Sequence, residues 1–457
     1  MDRIAGLDRA RVAAFRAAEA ARYAAERPKS AAAQAGAGAE AWLAAVPMHW
    51  MRDWPMPFPI RVDRARGARL TCIDGHELDD FCLGDTGSMF GHSPPAVARA
   101  VRRQAKRGLT YMLPSEAADR AGERLREVWG DFRFQIAMTA TDANRFALRV
   151  ARAVTGRPKV LVFNGCYHGT VDDTMVALAG GATVARPGLV GQVQDLTRGA
   201  VCVEFNDIAA VRAALAAGEV AAVLTEPVMT NSCMVLPEPG FLAALRAACT
   251  EAGALLIIDE THTQSTGRGG YTRVHGLDPD MVVVGKCIAG GVPVAVWGMR
   301  DAVAERFAIY DAARPSGHSG MGTTLAANPV QFAALAAALE EVATVKAHAR
   351  MEKGAARLAA GLASAIDRAG LPWHVVRVGA RVEFVCAPGP LHNGTEAAAA
   401  HCPDVEGAIH LGLVNRGCLI APFHNMMLVS PVTTKRQIDR LVAAFGAVIG
   451  ALTGETA

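Results

Sequence analysis

Residues 278–291 read DPDMVVVGKCIAGG: a run of β-branched valines, a glycine, and then Lys286. Lysine is among the residues least often fully buried, so an amine at the end of so apolar a strand needs a reason. Two readings are open. In one, the stem lies along apolar surface and the ammonium reaches water or an acid. In the other, burial favours the free amine, which then acts as a nucleophile toward a carbonyl compound.

Working outward, four further apolar runs resemble this one: RFQIAM (133–138), KVLVF (159–163), AAVLT (221–225) and ALLIID (254–259). Helical patterns such as PPAVARAVRRQAKRG (94–108) and DIAAVRAALAAG (207–218) alternate with them. Short apolar strands alternating with helices predict an α/β domain with a mostly parallel sheet sandwiched by helices. Ligands of such sheets bind beyond the carboxyl ends of the strands. The residues there are Thr139, Ala140, Thr141 and Asp142 after the first run, and Asn164 to His168 after the second. Glu226, Asp259 with Glu260, and Lys286 follow the other three.

The flanking segments read differently. Residues 1–50 form an N-terminal helical segment, 51–95 include a hairpin turning at Asp74-Gly75 in ARLTCIDGHELDDFC, 96–335 form the large domain, and 336–457 form a smaller α+β domain containing WHVVRVGARVEFVC. The fold class expected is thus α/β, with a second, smaller domain built from both termini.

Composition narrows the function. The chain has 457 residues, 51% hydrophobic and 20% charged, and its net charge of +3 is spread without a basic block, which points away from nucleic acid and toward small molecules. Apolar runs are too short for a membrane span. The N-terminus lacks a secretory pattern, and Asp2, Asp8, Glu19 and Glu26 argue against a transit peptide. Ten cysteines without a Cys-x-x-Cys pair read as reduced thiols of a cytoplasmic protein. Gly-x-Gly-x-x-Gly in the position a nicotinamide enzyme needs, His-Glu-x-x-His and Gly-x-Ser-x-Gly are all absent. No metal site is expected.

The strand-end groups supply what a pyridoxal phosphate site requires. A carboxylate at Asp259 can keep a pyridine nitrogen protonated, or simply cap a turn. Tyr167 can lay its ring on a cofactor, or belong to the core. The helix opening at residues 139–142 can receive a phosphate, although an ordinary N-cap accounts for its threonines equally well.

The segments AAVLTEPVMTNSCMVLPEPGFLAALRAACTEAGALLIIDETHT (221–263) and GLDPDMVVVGKCIAGGVPVAVWGMR (276–300) resemble the core of class III (ω-type) pyridoxal-phosphate aminotransferases, in particular the branch of glutamate-1-semialdehyde aminomutase. GHSPPAV, GRPKVLVFNGCYHGTVDDT, EFND and GTTLAANP agree in order. The resemblance implies fold type I and pyridoxal 5'-phosphate in a Schiff base with Lys286, with Asp259 on the ring nitrogen and Tyr167 stacked on the ring. It further implies Thr139, Ala140 and Thr141 at the phosphate, with His168, Glu226 and Asn231 lining the site. Thr324 would reach the phosphate of a partner copy in a homodimer. The expected reaction is amino transfer between an amine or amino acid and a keto or aldehyde acceptor. An aminomutase, racemase or lyase of the same fold is the alternative, and a non-catalytic binding protein conflicts with the retained Lys286 and Asp259.

The chain departs from the family at several points. TATDA (139–143) stands where Ser-Gly-Thr-Glu-Ala is common, so Ala140 replaces a glycine. Thr261 replaces a valine and His262 a glutamine; the histidine is placed to meet the cofactor's phenolic oxygen, or else is held by structural neighbours. STGRGG (265–270) reads as a mobile loop. Arg52, Arg381 and Arg416 are candidates for a substrate carboxylate, and Phe423, His424 and Asn425 stand where some relatives carry an arginine. Trp50, Met89, Phe90 and Tyr111 are candidate pocket residues.

Overall fold

A computed structural model describes residues 2–421 and 424–454; Phe423 lies outside the described residues. Two compact units result. The first comprises residues 1–93, 349–390 and 400–457; the second comprises 94–348 and 391–399.

The second unit is built on a sheet of seven strands. In chain order they are β1 (Arg133–Ala137), β2 (Lys159–Phe163), β3 (Ala200–Val203), β4 (Val220–Thr225), β5 (Leu255–Asp259), β6 (Met281–Val284) and β7 (Ala295–Met299). Their order across the sheet is β3-β2-β4-β5-β6-β7-β1, and only the pairings of β7 are antiparallel. Successive side chains of a strand face opposite sides, so each strand feeds two cores. Val160 and Val162 pack with Leu224, Ile257 and Val283 against one layer, while Leu161 and Phe163 pack with Val223, Leu256 and Ile258 against the other. Burial on both faces is why β2, β4, β5 and β6 are almost continuously apolar, whereas the edge strand β1, with Arg133 and Gln135 exposed, alternates.

Helix α1 (Ala140–Thr155) covers the first face through Ala143, Phe146, Ala147 and Val150; α2 (Ile208–Ala216) and α3 (Phe241–Ala252) cover the second. Thr139 caps α1, its hydroxyl accepting from Asp142 N at 3.2 Å, and Gly156 ends it in the left-handed region at φ 70°.

The first unit has a four-stranded sheet in which Arg69–Cys72 and Glu77–Asp80 form the hairpin around Asp74-Gly75. A three-stranded sheet joins His374–Val378, Arg381–Val385 and Met426–Leu428. Helix Arg9–Glu26, capped by Asp8, packs on Pro403–Asn415. Among the described residues, no helix is long and apolar enough to cross a membrane.

One expectation is overturned. STGRGG is a packed turn, not a mobile loop: Ser265, Gly267, Gly269 and Gly270 are buried. Gly270 lies against the Glu260 carboxylate so closely that a Cβ would sit 2.4 Å from Oε2. That carboxylate accepts from Thr263 Oγ1 at 2.6 Å and from Tyr271 N at 2.9 Å. A buried acid satisfied by local donors pins the segment.

Candidate active site

Beyond the ends of β1, β2, β4, β5 and β6 lies a cavity of about 290 Å³, at the small end of the range of ligand pockets, about 300–1,000 Å³. It is lined by Thr139, Ala140, Thr141, Tyr167, His168, Glu226, Asn231, Asp259, Thr261, His262 and Lys286, with Met138, Gly169 and Val294. Eleven of the twelve residues singled out from the sequence thus meet in one place. Thr324 does not: it is exposed, in the segment before helix Pro329–Ala337.

Lys286 opens a short turn after β6 with φ 51°. The left-handed region costs a non-glycine residue roughly 1–2 kcal/mol, so the surroundings must hold it there. Gln264 does part of this, donating from Nε2 to the carbonyls of Gly285 at 2.8 Å and Thr261 at 2.9 Å. Gly285 is needed for close approach rather than for a positive φ: it is extended at φ −128°, and a Cβ there would meet the Ala140 methyl at 2.8 Å. Ala140 is an ordinary first-turn residue of α1, without a positive φ, so the alanine in place of glycine is unstrained.

Asp259 ends β5 and is 3% exposed. Its Oδ2 accepts from Asn144 Nδ2 at 2.8 Å and lies 2.9 Å from His168 Nδ1, while Oδ1 accepts from the Thr261 amide at 3.0 Å. Burial alone would push the carboxyl up; the hydrogen bond and charge of His168, with Thr261 and Asn144, outweigh it and hold the group below the usual carboxylate range. Burial works against the His168 cation as well, but Cys166 and Asp259 beside it dominate and push the imidazole up to about 10.

A second polar group faces Lys286. Its Nζ is hydrogen-bonded to His262 Nε2; His262 Nδ1 lies 2.6 Å from Thr230 Oγ1, and Thr230 Oγ1 is bonded to Glu226 Oε2. Both ring nitrogens of His262 therefore meet protein groups. Burial pushes the Glu226 carboxyl up, against the lowering effects of His168 and Thr230. Asn231 Nδ2 approaches the other Glu226 oxygen at 3.4 Å.

The first turn of α1 also lines the cavity, through Ala140 and Thr141. Thr141 Oγ1 accepts from the Thr170 amide at 3.1 Å, and Gly169, at φ 77°, lies so close that a Cβ would sit 2.1 Å from that oxygen. The Thr139 hydroxyl donates to Asp142 Oδ2 at 3.0 Å. Thr261 Oγ1 is buried beside the cavity with no hydrogen-bond partner among the described residues.

These features fit a pyridine ring bearing a carbonyl and a phosphate. An amine and a carboxylate held ionised line the same small cavity, amide donors of a helix N-terminus stand at its edge, and the orphaned Thr261 hydroxyl is the kind of group a ligand satisfies. The sequence reading missed Asn144, Thr230, Gly169 and Gln264.

The arginines considered for a substrate carboxylate all lie in the first unit, and each has a partner there. Arg416 pairs with Glu19 at 2.7 Å, Arg52 with Asp53 at 3.2 Å, and the fully buried Arg381 donates to Thr86 Oγ1 at 2.6 Å. Trp50, Met89, Phe90, His424 and Asn425 belong to that unit too, and Tyr111 stands in an exposed stretch of the second.

Fold and site together define an enzyme that uses pyridoxal phosphate, on the fold type I architecture. A family model described as "Aminotransferase class-III" matches residues 51–449, and the chain belongs to that family. A glutamate-1-semialdehyde 2,1-aminomutase of Sorangium cellulosum (strain So ce56) is 35% identical over 393 residues, 84% of this chain and 88% of that protein. Among solved structures, a glutamate-1-semialdehyde-aminomutase from Pseudomonas aeruginosa PAO1 is 45% identical with a TM-score of 0.96, covering 98% of this chain and 100% of that one. A lysine-to-alanine variant of an aminomutase from the same organism, in complex with PMP, matches equally well. A β-phenylalanine aminotransferase from Variovorax paradoxus is 28% identical, with a TM-score of 0.84 over 96% of this chain.

Proposed function

We propose that the enzyme transfers an amino group between a small amine or amino acid and a keto or aldehyde acceptor. The observation that carries this reading is the presence of Lys286 and Asp259 in one cavity, the second locked by three protein partners. When bound, pyridoxal phosphate supplies a carbonyl for covalent attachment to an amine and a ring that takes up the electron pair left on carbon as a proton departs.

The residues do the rest. Lys286 holds the cofactor, gives way to the substrate amine, and then carries a proton between two carbons. Asp259 favours the protonated ring nitrogen because its own charge is secured by His168 and Asn144. Tyr167 offers its ring to the cofactor's face, and Thr139, Ala140 and Thr141 offer donors to the phosphate. Thr324 is assigned to the phosphate site of a second copy, which makes the active unit a homodimer, in the cytoplasm.

A second reading, an intramolecular aminomutase, is favoured by the relatives that are 45% and 35% identical, both glutamate-1-semialdehyde aminomutases. Single-turnover assays separate the two. Mixed with an amino donor alone, a transferase releases one carbonyl product per active site and stops until an acceptor is added. An aminomutase instead turns over repeatedly on an amino-aldehyde with no second substrate. Release of no carbonyl product from any amine or amino acid, and no rearrangement of any amino-aldehyde, would exclude both.

A further inference from the structure

We propose that His262 is a proton-relay residue connecting the Lys286 amine to Glu226 through the Thr230 hydroxyl. The proposal rests on the reading of Lys286 as proton carrier.

The relay is assembled from three adjacent strand ends: Glu226 and Thr230 follow β4, His262 follows β5 and Lys286 follows β6. Its direction follows from what each group can do. An ionised carboxylate only accepts, so the Thr230 O–H donates to Glu226 Oε2. The Thr230 oxygen is then free to accept from His262 Nδ1–H at 2.6 Å. That tautomer leaves Nε2 as a lone pair facing Lys286 Nζ, whose ammonium donates to it. Every donor in the series points from Lys286 toward Glu226.

Such a series passes one proton without moving a heavy atom far. The Lys286 N–H breaks as His262 Nε2–H forms, the Nδ1–H breaks as a new Thr230 O–H forms, and the original Thr230 O–H breaks as Glu226 Oε2–H forms. An ammonium and a carboxylate become an amine and a carboxylic acid; electrons and atoms balance with no other reactant. Burial opposes the Glu226 charge at the start and not the neutral acid at the end. Glu226 is 5% exposed, and besides Thr230 and Asn231 it feels the charges of His168 and Asp259. Reversal of the same three bonds returns the proton. Glu226 is thus a buried store that holds the proton Lys286 takes from one carbon until Lys286 gives it to the other.

The test uses histidine-specific ¹⁵N labelling of the cofactor-free protein from about pH 7 to about pH 10, with the tautomer read at the alkaline end because burial raises the Glu226 carboxyl above the ordinary range. The His262 signals are those missing from His262→Gln. The expected pattern is a protonated Nδ1 and a bare Nε2 in the wild type and in Thr230→Ser, shifting to Nε2–H or a mixture in Thr230→Val. A wild-type ring protonated at Nε2, or a pattern that Thr230→Val leaves unchanged, overturns the relay. On the loaded enzyme, the rate of the donor half-reaction against the D₂O fraction is expected to curve for wild type and Thr230→Ser. For Thr230→Val it is expected to be linear and roughly 10- to 100-fold slower, a share of the usual gain from proton transfer catalysis. A linear wild-type plot also overturns it. If no donor reacts at all, the amino-transfer reading fails while the tautomer still decides the relay.

Discussion

Asp259 Oδ2 and His168 Nδ1 lie 2.9 Å apart with both side chains fully enclosed. A carboxylate buried this deeply is costly unless a neighbour carries the opposite charge. The pairing makes Asp259 a fixed anion lining the cavity that we propose holds the cofactor. Asp259→Asn keeps the shape and the Asn144 and Thr261 neighbours but removes the charge. We expect it to slow the donor half-reaction by at least about 100-fold, the scale of losing one preorganised electrostatic contact, as stopped-flow spectroscopy of the loaded protein would show.

The same pair sets a pH dependence of stability. His168 is raised to about 10, so its contribution is complete below its unfolded value near 6.5 and is lost as pH rises through about 10. Asp259 is lowered, so its contribution is present above an unfolded value near 3.9 and is lost only as pH falls through the folded one. Denaturant titrations of cofactor-free wild type and His168→Gln should therefore differ most near pH 5–6, by about 3–5 kcal/mol for an uncompensated buried charge. The difference should shrink steadily toward pH 10.

Gly285 and Ala140 make a second test, of packing. A methyl added at Gly285 would meet the Ala140 methyl at 2.8 Å. Gly285→Ala should cost about 1–3 kcal/mol by overpacking and weaken cofactor retention. Gly285→Ala combined with Ala140→Gly should recover most of the loss. If the double variant is no more stable than the single one in thermal unfolding, the clash is elsewhere.

Gln264 tests what holds Lys286 in its left-handed conformation. Its amide serves two buried carbonyls, those of Gly285 and Thr261; Gln264→Leu removes the donor from both, and the Gly285 carbonyl keeps only the Ile288 amide at 3.3 Å. The expected loss is about 1–3 kcal/mol, with cofactor affinity falling in parallel because the turn carrying the amine loosens. Unchanged affinity, measured by titrating the cofactor-free protein, would show that Gln264 does not position Lys286.

How much of this was legible in the sequence depended on which physical signal each residue leaves. Four of the five strands that end at the site are buried on both faces, and a run such as KVLVF announces that directly; the fifth, Arg133–Ala137, is an edge strand with Arg133 and Gln135 exposed. Ala200–Val203 and Ala295–Met299 were not singled out. The first is only four residues long, and the second carries Gly298, where Phe132 and Phe134 press against the backbone. The residues that face the cavity were found because the sheet delivers strand ends to one edge. Those that support them leave fainter marks. Asn144 is detectable as a polar residue among the apolar positions of α1. Thr230 has no periodic signal: it meets His262 only because β4 and β5 are neighbours in the sheet. The packed STGRGG turn misled for a related reason, since glycines that allow close packing against Glu260 read, in sequence, as glycines that allow motion.

The measurement closest to the core of the account is borohydride reduction of the protein loaded with pyridoxal phosphate, followed by peptide mass mapping. One cofactor mass fixed on the peptide containing Lys286, and absent when Lys286→Ala is treated identically, is the expected result. A cofactor mass on another lysine, or none in fully loaded protein, would contradict it.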